Sequence, residues 1–137
     1  MLSFAARHAD IVGVNANLRA GYVGPEVAAT TTSERFEQRV EWIRQAAGDR
    51  FDQLELQVLT VVAAITDDRV GMAEAMAPAF GLDPAAALEV PMVVVGTVDQ
   101  VCETLRERRE RFGFSCYVFH AGDIEPFAPV VERLAGR

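Results

Sequence analysis

The chain has 137 residues, half of them apolar, which suits one ordinary domain with a real core and leaves no room for a second. Its 20 acidic and 13 basic side chains give a formal charge of −7, so phosphate backbones and anionic lipid heads are repelled, and neither nucleic acid nor a membrane is an expected partner. The longest apolar run, residues 58–65, is interrupted only by Thr60 and is far shorter than the roughly 20 residues that cross a bilayer.

The first eight residues lack the basic start, long apolar core and small-residue cleavage site of an export signal. Cys102 and Cys116 have no metal or redox spacing. The expectation is a cytoplasmic protein with two reduced thiols.

Residues 2–9 have the small, apolar pattern of the last turns of a helix, and the β-branched run at 9–15 reads as a short strand. A loop over 16–30 follows, marked by Gly21, Gly24 and Pro25, and a long loop in a compact domain is often functional. Thr31 stands three residues before Glu34, the spacing of a capping box, and Phe36, Val40, Ile43 and Ala47 then recur on one helical face until Gly48. Residues 54–58 alternate and merge into an unbroken apolar run to Thr66, which predicts one strand passing from solvent into a core covered on both faces.

Asp67 and Asp68 end that strand and cap a helix bearing Val70, Ala73, Met76, Ala77 and Phe80, with Gly81 as its stop. Asp83-Pro84 starts a short helix, which Pro91 closes. Residues 91–96 fit either a strand or an apolar loop. Thr97-Val98-Asp99-Gln100 is a second capping box, opening a helix whose apolar face carries Val98, Val101, Cys102, Leu105 and Phe112. The Arg-Glu run from Arg106 to Arg111 reads as its solvated face. Residues 114–120 form a further strand, and Asp123 is placed to cap a last helix with Phe127, Val130, Val131 and Leu134 inward. Trp42 and Met92 read as packing residues and His8 as a surface residue. The alternation of strands and helices predicts an α/β fold, a single domain over 1–137, with about three parallel strands joined by right-handed crossovers.

Four strings carry a resemblance. Ala5-Ala6-Arg7-His8-Ala9-Asp10-Ile11-Val12-Gly13, Val95-Gly96-Thr97-Val98-Asp99-Gln100-Val101, the run from Arg108 to Phe114, and the closing helix from Phe127 to Leu134 resemble, in that order, segments of the luciferase-like monooxygenases, including the deazaflavin-dependent members. Ile11 stands where that family more often has glycine. The resemblance implies a partial (β/α)8 TIM barrel, with these strands as the sixth, seventh and eighth, whereas a whole barrel takes about 250 residues. It implies an oxidoreductase or monooxygenase using coenzyme F-420 or FMN on a small organic substrate. The glycine-rich strand end that helps hold the cofactor phosphate in that family has no counterpart here.

Functional residues of such barrels lie where strands end. That rule selects Asn15 and Asn17 as cofactor-binding amides, Arg19 as a substrate-binding cation, Thr66 and Asp67 after the second strand, and His120 as a catalytic acid or base. Each also fits a plainer role as loop former or solvated side chain. No nucleophile triad, carboxylate pair or metal set can be assembled by spacing. Two readings follow: an enzyme whose barrel is completed by a homodimer partner or a complementary chain, and a non-catalytic partial barrel that dimerises as a structural or interaction module.

Overall fold

The structure, a computed structural model, describes residues 1–17 and 29–136. Helix α1 (Leu2–His8) leads into strand β1 (Ile11–Gly13). Helix α2 (Ser33–Ala47) follows, then a 3-10 turn (Gly48–Gln53) and strands β2 (Glu55–Leu59) and β3 (Val62–Ile65). Helices α3 (Arg69–Phe80) and α4 (Pro84–Glu89) precede β4 (Val93–Gly96). Helix α5 (Val98–Phe112), strand β5 (Phe114–Val118), a second 3-10 turn (Ala121–Asp123) and α6 (Ile124–Leu134) complete the order.

Among the described residues all strand pairs are parallel. One sheet runs β1-β2-β5 and the other β3-β4, and both are open. The single strand expected over 54–66 is parted at Thr60 and Val61, and the hydrogen bonds give the reason. Three consecutive N–H groups leave in three directions: Leu59 donates to the Asn15 Oδ1, Thr60 to the Val118 carbonyl, and Val61 to the Met92 carbonyl. The polypeptide thus leaves β1 and β5 and takes up β4. The strand buried on both faces is β4, in which Val93 and Val95 join the larger core while Val94 joins a smaller one with Val101, Leu105, Phe127 and Val130. The four residues of β3 are only half-buried.

The sheet β1-β2-β5 is asymmetric across its pleat. Val12, Leu56, Val58 and Phe114 are buried against the helices, while Ile11, Gly13 and Glu55 are exposed and Gln57, Leu59, Cys116 and Val118 are half-buried on the other, more open face. A register shift beside Leu56 sets Cys116 opposite Gln57 and Tyr117 opposite Val58. One extra residue, Ser115, therefore lets Phe114 and Tyr117 share the covered side. There Phe114 stacks on Phe112 at 5.0 Å and meets Phe36 edge-on at 6.1 Å.

Caps fix the helix starts. The Thr97–Gln100 box forms in full, with both bonds present. Asp68 and Asp83 accept from the backbones of Gly71 and Ala86 at 2.9 Å. At α2 the cap is Thr32 rather than Thr31, so Glu34 is not in the reciprocal position of a box. Asp123 does not cap α6; its carboxylate turns back to accept from the His120 N–H at 3.1 Å, closing the 3-10 turn instead. Met92 is buried as expected, whereas Trp42 is 48% exposed on the outer side of α2.

The largest departure is Arg108, assigned by its charged neighbours to a solvated face and found buried. It donates to the carbonyls of Leu88, Pro91 and Val93, holding the link from α4 into β4. Arg50 acts similarly at the other end, gripping the carbonyls of Ala6 and Ala9 and the Asp10 carboxylate where α1 turns into β1.

Candidate functional site at the strand ends

The carboxyl ends of β1, β2 and β5 meet in one rim. Asn15 lies two residues past β1, on the same face as Gly13. Its Oδ1 is committed to the Leu59 N–H at 2.9 Å, which fixes the amide orientation and leaves Nδ2 as the donor. A Cβ at Gly13 would lie 3.2 Å from that Nδ2, so the glycine makes room for the amide. Beside it, Thr60 is fully buried and donates both its N–H and its hydroxyl to the Val118 carbonyl. Three hydrogen bonds thus hold the rim, and it presents an oriented amide beside the apolar Leu59 and Val118.

The other expected residues do not converge there. Asn17 is exposed, and its backbone N–H donates to the Thr30 hydroxyl. His120, two residues past Val118, is exposed and is bound into its own 3-10 turn. Thr66 follows β3, and its hydroxyl accepts from Asp68 in the turn before α3, away from the rim. Arg19 lies outside the described residues.

Reasoning from strand ends missed Thr60, which was visible only as the single hydroxyl within an apolar run. Cys116, on the open face, has its thiol pKa raised by burial and then by the Glu55 carboxylate, so it is protonated at neutral pH and is a poor nucleophile. On the covered side, burial pushes the Tyr117 hydroxyl up to about 12, against the pull of the nearby Arg108. That hydroxyl is close enough to feel the guanidinium charge yet makes no hydrogen bond of normal geometry. Burial likewise lowers the Arg108 pKa, partly offset by Tyr117 and Glu89.

Among the described residues no three His, Cys, Asp or Glu side chains are gathered to hold a metal, and no helix is long and apolar enough to cross a membrane. As a test of the implied cofactors, the Asn15 Nδ2 suits the edge of a flavin or deazaflavin ring, whereas the described rim offers no cation for its phosphate. No protein-family model, curated protein or solved structure matches the chain.

Proposed function

We propose that the chain is the closing part of a luciferase-like oxidoreductase or monooxygenase, which turns its open sheet face and strand-end rim toward reduced coenzyme F-420 or FMN and a small organic substrate in the cytoplasm. One observation carries the reading: the oriented Asn15 amide stands where the parallel strands β1, β2 and β5 end, the position at which such barrels carry their sites. Supporting it, the four resembling strings fall on matching elements, namely α1 into β1, β4 into α5, α5 into β5, and α6. The bound ring would supply hydride or oxygen chemistry. The chain's part is to hold the ring edge through Asn15, to line the ring with Leu59 and Val118, and to exclude water. His120 and Arg19 remain the candidates for proton handling and anion contact. A closed barrel also requires strands beside the outer edges of β1 and β5, from a second copy or a complementary chain.

Titration of the purified protein with reduced F-420 and with FMN, followed by cofactor fluorescence, tests this. Saturable binding that weakens by roughly tenfold in Asn15→Leu is expected, from the loss of one oriented hydrogen bond. Failure to bind either cofactor rejects it.

The second reading is a non-catalytic partial barrel that dimerises. Apolar side chains left in solvent at the margins favour it: Ile11 is 53% exposed, Ile124 67% and Val131 56%.

A further inference from the structure

Helix α6 buries Phe127 and Val130 against α5, β3 and β5, yet a second apolar stripe on it faces outward. Ile124, Ala128 and Val131 recur at four and three residues, and all three are exposed. Helical spacing makes them one ridge rather than scattered surface apolar residues. At Val131 the ridge meets a groove of about 660 Å³ bounded by α5, the outer edge of β5 and α6. Leu105, Tyr117 and Phe119 form its apolar floor, the exposed Arg106, Arg109 and Glu110 stand on the opposite rim, and Arg133 lines it from α6. On α6 itself the exposed Glu125 and Glu132, two turns apart, flank the ridge.

We propose that this margin is a self-docking surface, on which α6 of a second copy lies antiparallel in the groove about a twofold axis close to Val131. The pattern argues for a second copy rather than another partner, because ridge and groove meet at Val131 and the two carboxylates beside the ridge complement a rim on which Arg106 and Arg109 outnumber Glu110, while Arg133 is already held by Asp99. A single rotation brings Glu125 and Glu132 of each copy to the Arg106 and Arg109 rim of the other, while both ridges enter apolar surface. A patch complementary to itself closes at two subunits, whereas a patch complementary to a different face would give rings or filaments. The small Ala128 lets the two helices approach closely. This surface gives the interaction-module reading a physical form and does not depend on cofactor binding.

Sedimentation of the full chain at tens of micromolar tests it. The expected mass is twice the 15.0 kDa of one chain. Val131→Glu, which places a carboxylate on the axis, should sediment as a monomer with an unchanged circular dichroism spectrum. The double variants Arg106→Glu/Arg109→Glu and Glu125→Arg/Glu132→Arg should each dimerise roughly tenfold more weakly than the parent. Mixed in equal amounts they should form a heterodimer of parental strength, since each then meets its opposite charge twice. A monomeric or open-ended parent chain, a Val131→Glu dimer, or a mixture that fails to associate overturns the proposal. So does a monomer whose groove takes up a small apolar dye. Cofactor titration of Val131→Glu, whose strand-end rim is intact, separates loss of the dimer from failure of the oxidoreductase reading.

Discussion

The two faces of the β1-β2-β5 sheet share one backbone and one set of hydrogen bonds, but only one of them is closed off from solvent. On the covered side Val12, Leu56, Val58 and Phe114 are at most 1% exposed and are locked by aromatic stacking. On the open side the same strands carry Gln57, Glu55 and Cys116 among half-buried aliphatics. Strand period puts neighbouring residues on opposite faces, so core packing and solvent access are separated by one position along the chain. The bulge at Ser115 keeps that separation sharp, for in a regular strand with Ser115 in the ladder Tyr117 would take the open side.

Substitutions on each side sharpen the contrast. Phe114→Ala should lose about 4 kcal/mol in urea unfolding, because it empties a site shared with Phe36 and Phe112. Arg108→Met should lose about 3 kcal/mol by the same measurement, since it strips donors from three buried carbonyls. Arg108→Lys should recover only part of this, lacking the planar fork.

Alkaline titration probes the covered side in a second way. The Tyr117 pKa is raised in the folded state to about 12 from an ordinary 10, so its contribution is complete below pH 10. That contribution, about 2 kcal/mol, should disappear as the pH rises from 10 toward 12. Tyr117→Phe should flatten the dependence in that window, read from unfolding midpoints. On the open side, Gln57→Thr should change stability by no more than about 0.5 kcal/mol. A loss there as large as that of Phe114→Ala would show that the two faces are not distinct.

Much of the fold was legible because its signals are local. Thr97 and Gln100 specify a helix start by themselves, and the 3.6-residue recurrence in α2 and α5 marks the buried stripe. Arg108 was misread because charge was weighed ahead of position: it stands seven residues after Val101 and four before Phe112, squarely on the inward stripe. Its burial depends on the carbonyls of residues 88–93, which no window around α5 contains. The strand break at Thr60 is of the same kind, since only the ends of β5 and β4 make it necessary. At the candidate site, Asn15 follows from the rule of strand ends, but its orientation depends on Leu59, 44 residues later. His120 obeys the same rule, yet its side chain is set by a turn of its own.

The change of partner at Thr60 and Val61 has a mechanical consequence. A strand held on both sides over one stretch and by a different neighbour over the next cannot slide by one residue without disturbing the hydrogen bonds of both sheets at once. The two cores are thereby geared together, so a substitution that displaces the end of β2 would also disturb the seating of β4 without touching it.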